Sequence, residues 1–228
     1  MNRHIAAAVM AAAFLATSNA AAQDEPGILL LPAEPTRWDA AGQVTWLGAN
    51  KSDIGAQWDD WYNAAAGGVA GGYYFTPHLR TDIHAAFSTE GHIYGEERTP
   101  IPVPGQPFPI FRAREHYFQT ATLGAGVSYQ FFENQWVHPF VGAGLEVVHE
   151  RHRSVVPQQF VPSREPFPVV LPAEAGVTQI TWGARPFVTG GFKAYVSERT
   201  FIRTDLRTSF STRGVAHVAW STGIGVDL

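Results

Sequence analysis

The last thirteen residues read Ala216-His217-Val218-Ala219-Trp220-Ser221-Thr222-Gly223-Ile224-Gly225-Val226-Asp227-Leu228. At the two-residue period of a strand, Ala216, Val218, Trp220, Thr222, Ile224, Val226 and Leu228 share one face. His217, Ala219, Ser221, Gly223, Gly225 and Asp227 share the other. One apolar face over about ten residues, backed by a small and polar one, suits a strand that crosses a bilayer in a closed barrel.

The other end of the chain fits that reading. Arg3 gives a short basic start, Ile5 to Ala16 form an apolar run, and Ala20-Ala21-Ala22 offers small residues for cleavage. This is the pattern of an export signal, too short for a membrane helix. The expected organisation is therefore a signal peptide at 1–22, a Pro-containing periplasmic linker at 23–38 and a barrel domain at 39–228. The chain has no Cys, so neither a lipidated cysteine nor a disulfide framework is available. Hydrophobic residues make up 45% and charged residues only 16%, yet apolar residues alternate with polar ones instead of clustering. The net charge of -4 gives no electrostatic case for nucleic-acid binding.

Tracing the same alternation backwards predicts eight strands, near Asp39–Gly48, Tyr62–Phe75, Leu79–Thr89, Tyr117–Phe131, Trp136–Val148, Val177–Tyr195, Ile202–Phe210 and Ala216–Leu228. Short turns at Thr76–His78, Glu133–Gln135 and Ser197–Thr200 alternate with longer links at Asn50–Asp60, Glu90–His116 and His149–Ala175. Short periplasmic turns with longer outer loops are the habit of outer-membrane barrels. The fold class is therefore an all-β, eight-stranded antiparallel transmembrane barrel in the outer membrane. Aromatic residues gather at the short turns: Tyr73, Tyr74 and Phe75; Phe131, Phe132 and Trp136; Tyr195 and Phe201. They read as an interfacial girdle, against a general preference of strands for aromatics.

Two strands repeat a pattern, Arg80-Thr81-Asp82-Ile83-His84 and Arg203-Thr204-Asp205-Leu206-Arg207. Their charges require partners if buried. Arg80, Asp82, His84, Glu146, Arg185, Lys193, Arg203, Asp205 and Arg207 are expected to point inward as one ion-pair network. An eight-stranded barrel is just wide enough to be filled by such side chains.

With these two Arg-x-Asp-x-His/Arg strands, the stretch Pro139-Phe140-Val141-Gly142-Ala143-Gly144-Leu145 and the terminal strand, the chain from Asp39 to Leu228 resembles the small outer-membrane β-barrel proteins of the OmpA/OmpX type. The resemblance implies outer-membrane lipid as surroundings and insertion by the barrel-assembly machinery, which reads the final strand. Members usually end in Phe or Trp, and this chain ends in Leu228. The group contains anchors, adhesins and a few lipid-modifying enzymes, so the resemblance does not choose among them.

The residues favour a non-enzymatic envelope protein with a filled lumen and a structural or surface-interaction role. His84 with Ser88, and His217 with Ser221, raise the alternative of a lipid A deacylase-like enzyme. The spacing of a nucleophile, base and orienter is absent, however, as is a Gly-x-Ser-x-Gly elbow. A soluble periplasmic lipid-binding barrel is the other alternative. His149, Glu150 and His152, with His92 and His116, do not amount to a metal site, which needs three or four converging ligands; no metal or cofactor is expected. A surface ligand could dock at the loops 90–116 and 149–175. Their prolines (Pro100, Pro102, Pro104, Pro107, Pro109; Pro157, Pro162, Pro166, Pro168, Pro172) hold the backbone extended.

Overall fold

The computed structural model describes residues 37–51, 61–96, 102, 110–131, 136–161 and 168–228. The expected signal peptide, the linker up to residue 36, Phe132 and the prolines at 100, 104, 107, 109, 162 and 166 lie outside them. Strand is the regular structure of the described residues: β1 (Trp38–Asn50), β2 (Trp61–Tyr74), β3 (Leu79–Ser88), β4 (Gly91–Glu96), β5 (Ala113–Gln130), β6 (Val137–Val156), β7 (Gln159–Val161), β8 (Val169–Leu171), β9 (Glu174–Tyr195), β10 (Thr200–Ser211) and β11 (Gly214–Asp227).

Eight of these make the barrel. The order β3-β2-β1-β11-β10-β9-β6-β5 closes on itself because β3 also pairs with β5, and every neighbouring pair is antiparallel. The first and last strands meet over Asp39↔Asp227 to Ala49↔His217, so closure joins β1 to β11. Strand β1 begins at Trp38, one residue inside the expected linker, because the Leu228 amide bonds the Trp38 carbonyl.

The remaining strands correct the expected loops. Residues 91–96 and 113–116, and most of 149–175, are strand and not loop, since β5, β6 and β9 run far past the eight-strand girth. Strand β4 extends β3 along the same edge of β5, across a bulge at Thr89-Glu90: three residues lie between Phe87 and Gly91, while two lie between their partners Ala121 and Phe118. The four-stranded sheet β4-β5-β6-β9 thus stands above the rest of the barrel, with the small hairpin β7–β8 beyond it. Alternation in the sequence fades there because neither face meets a uniform solvent.

Short turns close the opposite end. At 75–78, Thr76 Oγ1 accepts from the Leu79 amide at 2.9 Å; at 196–199, Ser197 Oγ accepts from the Thr200 amide at 3.1 Å. The last hairpin turns on Thr212-Arg213, with Gly214 at φ 108°, a left-handed conformation that favours glycine. A bulge at Ser209/Phe210 follows, so Ala216 turns inward instead of joining the outer face.

Outward positions form a lipid-facing belt. Val44, Ile83, Leu123, Val141, Leu145, Val188, Ile202 and Ile224 are all exposed large apolar side chains. At about 3.3 Å per residue and a tilt near 40°, about ten residues cover the ~25 Å of an apolar band. Ala143 lies at its middle, between Val127 and Val188. Ala143→Arg should destabilise the refolded barrel by about 2–4 kcal/mol, whereas Val137→Arg at the turn end should cost about 0–1 kcal/mol. Urea titration in lipid vesicles reads both values.

Candidate functional site: the filled lumen and its rim

Inward positions alternate with the belt, and the sequence loads them in two ways. Glycine and alanine leave room; long charged or aromatic side chains fill it. A β-carbon on Gly124 would run into the His84 ring, and one on Gly225 into the Phe201 ring, so both residues must lack a side chain.

Three tiers of polar contacts stack along the lumen. In the tier nearest the short turns, Asp39 of β1 accepts from Arg80 Nη2 at 2.7 Å, Lys193 Nζ at 2.9 Å and the Tyr74 hydroxyl at 3.1 Å. Lys193 also donates to Asp227 at 3.1 Å, and Tyr195 donates to the other oxygen of that carboxylate at 2.7 Å. The Lys193 ammonium sits 3.8 Å from the centre of the Phe201 ring. In the middle tier, Arg203 donates to Asp82 at 2.9 Å and to Asp205 at 3.1 Å, while Arg80 lies 3.0 Å from Asp82. Ser128 donates to Asp82 as well. Arg80, Lys193 and Asp205 are 1%, 0% and 1% exposed, as buried as any core leucine.

The third tier is histidine-rich. Glu146 of β6 stands between two imidazoles, 3.7 Å from His84 Nε2 and 3.9 Å from His217 Nδ1. Arg185 donates to His217 Nε2 at 2.6 Å. That nitrogen must carry a lone pair, which makes the imidazole the neutral Nδ1–H tautomer. Arg207 lies 3.8 Å from Asp205 and over the Phe187 ring. A small cavity opens beside this tier, about 30 Å³ in volume, lined by His84, Glu146, Arg207, Ser209 and His217 among others. Such a volume holds a water or two.

Above the belt the lumen ends in stacked rings. Tyr62 stacks on Phe118 at 4.9 Å, and Phe118 on His152 at 4.6 Å. His116 and His152 share a hydrogen bond of 2.9 Å. Lys51 pairs with Glu150 across the column. Among the described residues no group of His, Asp and Glu is arranged to hold a metal ion.

All nine residues expected to point inward lie inside the barrel. Arg80, Asp82, Arg203, Asp205 and Arg207 form one connected set, Lys193 joins it through Asp39, and His84 meets Glu146. Arg185 stands apart, bonded to His217 instead of to an acid. Asp39, Asp227, Lys51 and Glu150 complete the set and were missed, although each keeps the inward parity of its strand. Of the expected girdle, Tyr73, Phe75, Phe131 and Trp136 face outward. Tyr74, Tyr195 and Phe201 do not: they face the lumen and pack around Lys193. Parity is the reason, since Tyr195 matches Lys193 and Phe201 matches Arg203. Trp38 packs against Tyr73 in the outward row, the two rings tilted by 56°. A second outward row, Trp46, Phe87, Trp182 and Trp220, marks the far edge of the belt.

The chain matches the outer membrane protein beta-barrel domain family over residues 7–224 and belongs to it. It is an integral outer-membrane β-barrel protein. Among solved structures it is similar to Neisserial surface protein A, with 14% identity over 84% of this chain and 97% of that one, at a TM-score of 0.52. It is also similar to Ail of Yersinia pestis (12% identity, 83% and 98% covered, TM-score 0.46) and to OprG of Pseudomonas aeruginosa (10%, 84% and 95%, 0.46). At these identities the likeness is one of fold. No protein of curated function matches the chain.

The two kinds of ion pair should behave differently. Asp39→Asn leaves Arg80 and Lys193 short of a buried partner and should cost about 3–5 kcal/mol. Glu90→Gln removes the surface partner of Arg153, 2.9 Å away and half exposed, and should cost under about 1 kcal/mol. Denaturant titration of both variants tests the contrast.

His116 stands outside the membrane-spanning part of β5 and carries a pH dependence. Burial, together with His152, Arg114 and His92 nearby, pushes its pKa down from 6.5 to about 4. The unfolded chain therefore binds the proton first. The stability of this region is complete above about pH 6.5 and is lost as pH falls toward 4. Amide protection in 113–120, taken relative to the intrinsic exchange rate at each pH, should fall between pH 7 and 5, and His116→Phe should flatten that slope.

Proposed function

We propose that the protein is a non-enzymatic barrel whose lumen is closed to solute flow, and that it acts through its mass in the membrane and its outer surface. The observation that carries this reading is the lumen between Asp39 and His217. Side chains from β1, β2, β3, β6, β9, β10 and β11 cross it, leaving the cavity of about 30 Å³. Six cations (Lys51, Arg80, Arg185, Lys193, Arg203, Arg207) face six carboxylates (Asp39, Asp82, Glu146, Glu150, Asp205, Asp227). A lumen balanced in this way offers no net field to draw an ion, and moving any one of its ion-paired side chains leaves a buried charge unpaired.

The outer surface is where variation in function would reside. The upper parts of β5, β6 and β9, with β4 and the hairpin β7–β8, extend beyond the belt, and the described end of the Pro-rich segment, Ile110 to Arg112, runs into β5. Arg112 bonds the Pro172 carbonyl and Glu174, tying that segment to the start of β9. This firm platform supports surface interaction as the role of the loops 90–116 and 149–175.

The lipid-modifying alternative needs a nucleophile and base at the lipid face. His84 and His217 are buried in the lumen instead, which counts against it. In planar bilayers the protein should show no conductance at the level of a general porin. Lipid A from cells with and without the protein should have the same mass spectrum. An altered acyl chain that disappears in His84→Ala or His217→Ala would overturn the non-enzymatic reading, and sustained large conductance steps would overturn the closed lumen.

A further inference from the structure

Above the apolar belt, the outward face of β6 changes character. Val147 is followed on that face by His149, Arg151 and Arg153, while Glu150 and His152 between them point inward. The strand registers place Gln119 and Ile180 on either side of Arg151, and Ala121 and Trp182 on either side of His149. The His149 and Trp182 rings touch at 4.5 Å.

The level of this row relative to the membrane can be read from its neighbours. Trp182 is 71% exposed and Ile180 is 60% exposed, both on the lipid-facing surface. Leu123 and Val147 continue the same surface below them. Side chains this apolar and this exposed mark where acyl chains reach. Arg151 projects from the same rows, at the depth where headgroup phosphates begin. Tryptophan at that depth anchors the interface.

Arg151 is also unspent. It is exposed and has no hydrogen-bond or ion-pair partner among the described residues. Arg153, one row higher, lies over the Tyr117 ring at 4.6 Å and pairs with Glu90 in an exposed contact of the labile kind. The other nearby acid, Glu115, is taken up by the Tyr117 hydroxyl at 2.5 Å and by His92 at 3.9 Å. Two guanidiniums at i and i+2 on one strand face, with the Gln119 amide and the His149 imidazole beside them, offer planar donors suited to a phosphate group.

We propose that this row, Arg151 and Arg153 with Gln119 and His149, binds the phosphate of a phosphorylated outer-leaflet lipid whose acyl chains lie on Leu123, Val147 and Trp182. The apolar surface running directly into the arginines selects a lipid over free phosphate. The inference rests on the outer-membrane barrel but not on the closed lumen or on any role of the loops.

The test uses the full chain refolded in detergent, with native mass spectrometry reading lipid retained on the barrel. Two probes are compared, bisphosphorylated lipid A and the same lipid after phosphatase treatment. The wild type should retain the phosphorylated form roughly tenfold better, Arg151→Gln should lose several-fold of that preference, and Arg151→Gln/Arg153→Gln should lose nearly all of it. Arg199→Gln, a charge-matched change in an exposed short turn on the opposite side of the membrane, should change nothing. Equal retention of the two lipids by wild type, or an unchanged preference in the double variant, would sink the proposal. Inorganic phosphate at the lipid's own concentration should not displace the lipid; if it does, the site reads free phosphate and the lipid assignment is wrong. The gel mobility of the folded barrel confirms that each variant has folded, and a null result with folded variants leaves the outer-membrane barrel itself intact.

Discussion

Everything in this molecule follows from the absence of water in the hydrocarbon layer. A backbone amide or carbonyl there has no partner except another strand, so no strand edge can remain open. Closure is achieved twice over. The first strand, β1, pairs with the last, β11, along eleven registered residues, and β3 pairs with β5 to complete the ring. Once the ring is closed, the two-residue period becomes a sorting rule, with lipid on one side of every strand and lumen on the other.

That sorting creates the second problem, an interior too narrow for bulk water yet lined by residues that cannot all be apolar. An all-aliphatic lining would make both faces of every strand alike, and the register would lose its anchor. Charges answer this, because a strand slipped by one residue would expose Arg203 and Asp205 to lipid. Buried ion pairs are poor stabilisers in themselves, but removing one member is expensive. The network around Asp39, Asp82 and Asp205 thus penalises wrong registers more than it rewards the right one. Glycines such as Gly124 and Gly225 are the complement, since they make room for His84 and Phe201.

How much of this was legible in the sequence depended on how uniform each strand's surroundings are. Within the belt, lipid and lumen differ so sharply that alternation alone located all eight strands and the facing of Trp182, Ile202 and Ile224. The inward charges were legible for the same reason. Tyr74, Tyr195 and Phe201 were misjudged because their nearness to a turn was weighed above parity; Phe201 could have been placed from Arg203 two residues on. Above the belt both faces of β5, β6 and β9 meet water or one another, the alternation loses contrast, and strand was taken for loop. Asp39 and Asp227 escaped notice as partners of Lys193 because only the ring closure brings them together, across 154 and 34 residues of chain.

The barrel is also lopsided, and this gives its outer surface a direction. Strands β1, β2, β10 and β11 end close to the upper aromatic row, whereas β5, β6 and β9 continue for about two more turns of the alternation on each face. A cylinder of equal strands would present the same rim all round. Among the described residues the rim rises on one side, so the polar outward residues His149, Arg151 and Arg153 cluster on a single flank, directly above an apolar wall. The ring stack of Tyr62, Phe118 and His152 braces that flank from within, where a filled lumen gives it something to rest on. The internal packing that closes the barrel therefore also holds the one tall face rigid.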